Sequence, residues 1–203
     1  WLVHARTEGD RAHVVVRDID AQTEEALTET TVDCADLDAV CDADGILAVY
    51  NALADGVYRL FGARPGSTPE PLSPAGTPAV CPALAAAEGQ TWLAYQRPAT
   101  DGTFQIFLCR RTADGWTVPV RVSDLPGNNW CPALTALPDG RAAIGWDGYA
   151  AGSYDVYLRF VEADGTLGDL VRLSDDERFH AHLALAPAPG GSVWAAWNRA
   201  QSD

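Results

Sequence analysis

Three cysteines and a histidine recur at nearly even spacing. Cys34, Cys81, Cys131 and His180 stand in DCADL, VCPAL, WCPAL and FHAHL, separated by 47, 50 and 49 residues. Three thiolates and an imidazole form a zinc-ligand set. The competing reading is a small buried side chain repeated for packing, and it is the stronger of the two. Side chains alternate in direction along a strand, and four separate segments would have to bring their donors to within about 2.3 Å of one ion. No C-x-x-C occurs, which removes zinc-ribbon and thioredoxin-like chemistry. The five cysteines are too widely spaced for a small disulfide scaffold. The sequence assigns no metal and no cofactor.

Three further clusters carry chemistry-bearing residues. In SDDERFHAHLAL, Arg178, His180 and His182 stand where the related segments have apolar residues or proline. Two histidines two apart on a strand share a face, and with Glu177 they could bind a metal or transfer protons; a degenerate repeat is the plainer reading. In LPGNNWCPAL, Asn128, Asn129 and Trp130 combine amides with an indole, a combination suited to sugars. The alternative is that Trp130 plugs a gap in the core, since Phe179 and Val80 occupy the same slot in the aligned segments. DCADLDAVCDADG holds five aspartates, but EF-hand spacing is absent and DADG reads as a turn. G-x-S-x-G and H-E-x-x-H do not occur.

These residues sit on a repeat. Besides the Cys/His segments, ILAVYN, WLAYQ, AAIGWD and VWAAWN place an aromatic at Tyr50, Tyr95, Trp146 and Trp197, at steps of 45, 51 and 51. A third marker, LS or VS, ends at Ser73, Ser123 and Ser174. Each unit holds four short runs of strand length. In the third they are CPALTAL, RAAIGW, YDVYLRFV and LVRLS, joined by PDG, DGYAAGS and EADG. The turns pair an Asp that bonds its own backbone with a Gly that accepts positive φ. No window sustains a 3.6-residue apolar period; DAQTEEALTET reads as loop and strand. A four-stranded unit of about fifty residues that cannot cover both its faces alone is a propeller blade.

CPALTALPDGRAAIGWDGYAAGSYDVYLRFVEADGTLGDLVRLSD resembles the blades of bacterial sialidase-like (Asp-box) and TolB-like β-propellers, and the resemblance runs through nearly the whole chain. TADGW is one residue short of the Asp-box pattern, and EADGTLGD lacks its Trp. The expected fold is all-β, a propeller or propeller segment of four-stranded antiparallel blades. The 203 residues divide at roughly 1–32 (partial), 33–79, 80–128, 129–177 and 178–203 (partial, placed to close with the N-terminal strands). Residue 1 is Trp, and the chain reads as a piece of a longer protein.

Composition narrows the function. Hydrophobic residues at 47% and charged residues at 21% are a globular balance. The net charge of −14 repels nucleic acid, and all fourteen basic residues are Arg, which excludes Schiff-base and P-loop lysines. No apolar run is long enough to span a membrane. The favoured expectation is a non-catalytic, extracytoplasmic (periplasmic, secreted or cell-surface) binding or scaffold module that recognises a protein or glycan at a channel mouth. Asn128, Asn129, Trp130, Glu177, Arg178, His180 and His182 are its candidate ligand residues. The alternatives are a sialidase-like glycoside hydrolase, for which Arg178 is the one arginine placed at the mouth, and the gating propeller of a multidomain serine peptidase.

Overall fold

The structure is a computed structural model that describes residues 1–29, 32–150 and 152–200. The described residues form antiparallel strands and no α-helix. The chain divides into two compact units, Trp1–Pro82 and Ala83–Asp203. The first holds a sheet of β1 (Leu2–Glu8), β2 (Arg11–Asp18) and β3 (Thr23–Ala26). It also holds a four-stranded meander of β4 (Cys34–Asp42), β5 (Gly45–Ala54), β6 (Val57–Ala63) and β7 (Glu70–Pro71). Residues 20–26 of DAQTEEALTET are thus a turn followed by β3, its last residue lying outside the described ones, and DADG is a turn in which Asp42 Oδ1 accepts the Asp44 N–H at 3.0 Å.

The second unit begins within β8 (Val80–Ala87), whose first residues precede the boundary. This strand continues into β9 (Gln90–Pro98) and β10 (Phe104–Thr112). The outer edge of β10 carries two short pieces, β11 (Gly115–Trp116) and β12 (Val120–Arg121). Next comes a meander of β13 (Asn128–Ala136), β14 (Ala142–Ala150), β15 (Ser153–Val161) and β16 (Val171–Arg172). A hairpin of β17 (His180–Ala188) and β18 (Ser192–Arg199) follows. Strand β13 lies against β9, the second strand of the preceding sheet, and against β17, the first strand of the following one.

The three four- and five-stranded sheets repeat the same internal devices. The second-strand aromatic pairs in register with an aromatic on the third strand. The pairs are Tyr50 with Phe61, Tyr95 with Phe107 and Trp146 with Tyr157, with ring centroids 6.0, 6.2 and 6.1 Å apart. Such cross-strand pairs add about 0.5–1.5 kcal/mol beyond the area they bury. The LS marker is a clasp. Leu72, Val122 and Leu173 donate their N–H to Leu60, Ile106 and Val156, each at 2.8 Å. The Ser73 and Ser123 hydroxyls accept the N–H of Leu60 and Ile106 at 3.0 and 2.8 Å. Leu27 and Thr28 make the same clasp on Val14, a copy not counted among the sequence markers.

Apolar faces of adjacent sheets close on one another. In the first unit Val14, Val16 and Leu27 pack with Cys34, Ala48, Tyr50 and Ala63. In the second, Trp92, Ile106 and Leu108 pack with Ile144, Trp146 and Val161.

The first strands β4, β13 and β17 bulge, and the bulge decides the register. Cys81, Cys131 and His182 all carry positive φ, at 50°, 48° and 62°, a conformation uncommon for non-glycine residues. Pairing skips Cys131–Pro132 in β13 and His182–Leu183 in β17. Each of these N–H groups is taken by a side chain outside its own sheet: Asp36 Oδ2 at 3.1 Å for Cys81, Gln96 Oε1 at 3.2 Å for Cys131 and Asp147 Oδ2 at 2.7 Å for His182. Asp36 is itself fixed by Asn51, which donates to it at 3.0 Å and accepts its N–H at 2.7 Å. Asn51, Gln96 and Asp147 each directly follow the second-strand aromatic. Gly145 lets the last bulge seat, because a Cβ there would run into Leu183 and stand 2.8 Å from the Tyr157 carbonyl.

The aligned Cys/His positions are therefore not equivalent. His182, and not His180, matches Cys131. Position 34 in β4 pairs opposite Ala52, Asn129 opposite Gly148 and His180 opposite Arg199, so Cys34, Asn129 and His180 share one register. All three are buried, whereas Cys81 is half-buried and Cys131 exposed. Among the described residues no cluster of three His, Cys, Asp or Glu could hold a metal. The slot shared by Trp130, Val80 and Phe179 shifts likewise: Ala181, buried, matches Trp130, and Phe179 matches Asn128.

At that register position the second-strand aromatic finds its acceptor. Trp146 Nε1–H donates to Asn129 Oδ1 at 2.8 Å, and Trp197 Nε1–H to His180 Nδ1 at 3.0 Å. The corresponding residue in the Tyr95 repeat is Ala79, and the buried Tyr95 hydroxyl has no partner among the described residues. Leaving a buried polar group unpaired costs about 1–3 kcal/mol. Tyr95→Phe is therefore expected to be neutral or to raise stability by about 1 kcal/mol, while Trp146→Phe, which orphans Asn129, lowers it by about 1–3 kcal/mol. Urea unfolding of the two variants checks this pair.

Candidate functional site

The crossovers into β13 and β17 carry every candidate residue, and the structure divides them into framework and surface. Asn128 and Asn129 are framework. Asn128 Oδ1 accepts the Phe104 N–H at 2.9 Å. Asn129, fully buried, donates to Gln105 Oε1 at 3.0 Å and accepts from Trp146. Trp130 lies against Phe104 with centroids 5.2 Å apart, and its buried indole N–H has no acceptor among the described residues.

His180 and His182 do not share a face, because the bulge between Ala181 and Ala184 turns the chain. His180 is 1% exposed and His182 exposed. His180 accepts at Nδ1 from Trp197, so its ring proton sits on Nε2 and points to Asp176 Oδ1, 2.8 Å away. Asp176 Oδ1 also accepts the Arg178 N–H at 2.9 Å. The His180 hydrogen bond first, and the Arg178 amide second, hold the Asp176 carboxyl below the usual carboxylate range. The arrangement fixes the crossover and leaves His180 with no access to a ligand. Glu177 and Arg178 remain exposed.

What the structure adds is aromatic. Tyr149 packs on Tyr154 and Tyr154 on Phe179, with centroids 4.8 and 4.9 Å apart. Tyr149 is 40% and Phe179 43% exposed. Tyr149 stands in register with Asn128, and the Ser153 hydroxyl donates to the Arg178 carbonyl at 3.3 Å. The two groups of candidates thus lie along one strip at the same end of β13, β14, β15 and β17. The signal in the sequence was DGYAAGSY, a hairpin loop bracketed by two tyrosines, read there as a loop alone. Arg172 and Arg199 also reach this end: Arg172 binds Asp155 Oδ1 at 2.7 Å and Arg199 lies 3.5 Å from Asp176 Oδ2.

Asp147 is the other group that sequence reasoning passed over. Its carboxylate, 3% exposed, accepts the N–H of His182 at 2.7 Å and of Leu183 at 3.4 Å. Burial pushes its pKa up, and the two amides pull it partly back.

No protein-family model matches this sequence, and no curated protein sequence matches it. Solved structures do. A TolB-like protein from Agrobacterium tumefaciens aligns with a TM-score of 0.64 at 17% identity, over 98% of this chain and 70% of the other. TolB from Acinetobacter baumannii gives 0.56 at 14%, over 97% of this chain and 48% of that one. A thermostable family-43 glycoside hydrolase gives 0.58 at 12%, over 97% and 82%. The chain spans about half of the Acinetobacter protein. At these identities the likeness is one of fold: an all-β, propeller-like arrangement of antiparallel sheets.

A group whose pKa is higher in the fold than in the unfolded chain binds its proton more tightly when folded. Its stabilisation is present below the unfolded value and is lost as pH rises through the folded one. For Asp147 that window opens at the ordinary 3.8 and extends upward. Asp147→Asn lacks the ionisation, so the stability difference between variant and parent should move in favour of the variant from about pH 4 to pH 7. Urea unfolding at the two pH values measures the shift.

Proposed function

We propose that this chain is a non-catalytic propeller-like binding module of a longer extracytoplasmic protein, and that it takes its ligand, a glycan in preference to a protein, along Tyr149, Tyr154 and Phe179. One observation carries the reading: three contiguous rings, two of them substantially exposed, flanked by the exposed side chains of Glu177 and Arg178. Aromatic faces beside polar groups suit a sugar, whose C–H face stacks while its hydroxyls hydrogen-bond. The His180 ring lends no support to catalysis, since it is committed to Trp197 and Asp176. The TolB and glycoside hydrolase neighbours are consistent with an extracytoplasmic location.

A sialidase-like hydrolase is the second reading, favoured by three arginines near Asp176: Arg172 donates to its carbonyl, Arg178 gives its backbone N–H to the carboxylate and Arg199 lies 3.5 Å from Oδ2. Arg172 and Arg199 are already paired with Asp155 and Asp176, which weakens their capacity for a substrate carboxylate.

On a glycan array the chain should bind a limited set of oligosaccharides. Tyr149→Ala and Phe179→Ala, at exposed positions, should each weaken calorimetric binding about tenfold, the equivalent of about 1.4 kcal/mol. A silent array, or binding indifferent to both substitutions, would remove the glycan reading. Turnover of a sialoside substrate would replace it with the second.

A further inference from the structure

At the opposite end of the β8–β12 sheet from Phe104, a cleft of about 160 Å³ opens. It is lined by Trp92, Leu108, Arg110, Val118, Val120 and Asp164, among others. Its origin is local. The outer strand is interrupted between β11 and β12 at Thr117–Val118–Pro119, because proline offers no N–H to the ladder. Val118 is 84% exposed there. Counting three residues back from the second-strand aromatic, Trp92 occupies the position held by Leu47 and Ala143 in the neighbouring repeats and by Trp194 in the last. The sequence has placed an indole where a hydrocarbon would suffice for packing.

That indole is 1% exposed, and its Nε1–H has no acceptor among the described residues. Buried polar groups are nearly always paired, so an unpaired donor lining a cleft points to an occupant that supplies the acceptor. The charges in the lining are balanced. Arg110, in register with Trp92, donates from Nη1 to the Ala163 carbonyl at 2.7 Å. Asp164 is held in its ionised form chiefly by hydrogen bonds from Thr166. One cation and one anion favour a neutral ligand. The donor at Trp92 asks for an oxygen, the carboxylate of Asp164 accepts a hydroxyl hydrogen, and Leu108, Val118 and Val120 cover an apolar body.

We propose that the cleft over Trp92 binds a small neutral molecule presenting a hydroxyl group on an apolar body. Indole N–H resonances in a ¹H–¹⁵N spectrum of the full chain, with that of Trp92 assigned from its absence in Trp92→Phe, report on occupancy directly. Three probes separate the cases: p-cresol (a phenolic hydroxyl), methyl α-glucoside (a sugar hydroxyl) and toluene (no hydroxyl). The Trp92 resonance should shift saturably with p-cresol or with the glucoside, and which of them does so identifies the source of the hydroxyl. Toluene should bind about tenfold more weakly or not at all. Asp164→Asn, at an exposed position, should weaken binding of the active probe several-fold while the spectrum stays folded. The assignment is overturned if neither hydroxyl probe moves the resonance, which would leave water as the occupant. It is equally overturned if toluene matches the hydroxyl probes, or if Asp164→Asn leaves their binding unchanged.

Discussion

The arrangement rests on one hydrogen bond, repeated. Where the first strand of a sheet bulges, a backbone N–H in the left-handed region has no ladder partner. At Cys81, Cys131 and His182 it is received by Asp36, Gln96 or Asp147, side chains outside its own sheet. Within the second unit the bulge sets which residues of the next sheet turn inward, and Gln96 and Asp147 set how that sheet stands against its neighbour. The apolar faces supply most of the burial, but burial is non-directional and would tolerate a strand slipped by one residue. The acceptor would not. In this chain, then, a polar contact supplies the register and hydrophobic contact the stability.

That division explains what was legible in the sequence. Tyr50, Tyr95 and Trp146 are large and regularly spaced, and they announce the repeat without any knowledge of pairing. The serine clasp at Ser73 and Ser123 was visible as a marker, although its role as acceptor for a third-strand amide was not. The first-strand cysteines misled because letters align across a bulge while backbone positions do not. Cys34 stands in register with Asn129 and His180, two residues short of the bulge that holds Cys131 and His182. A sequence period counts residues and cannot show which one is left out of the ladder. Two of the acceptors, Gln96 and Asp147, were in plain view, directly after their aromatics, and drew no notice because Gln and Asp ordinarily mean solvent.

The same reasoning separates framework from surface among the candidate ligand residues. His180 deviates from the other repeats and so looked like grafted function, and Asn129 stood beside an indole in a combination suited to sugars. Both turn out to answer a local requirement, an acceptor for a tryptophan N–H. Of the rings exposed to solvent, Tyr149 was read only as part of a loop and Phe179 only as the counterpart of Trp130 and Val80, so nothing in the sequence set them apart. Function on a repeat scaffold is better sought in polar groups left without an internal task, such as Arg178 and Glu177, and in donors left without an acceptor, such as the indole of Trp92.

Native-state amide hydrogen exchange tests the joint most directly. Cys131 and His182 are exposed residues in a bulge, and neither N–H takes part in its own strand ladder. If Gln96 and Asp147 hold them, both amides should exchange orders of magnitude more slowly than free surface amides, with protection close to that of the flanking strand residues. Exchange at the rate of an unprotected turn would mean that these contacts do not set the register, and the account of how the sheets are joined would fail with them.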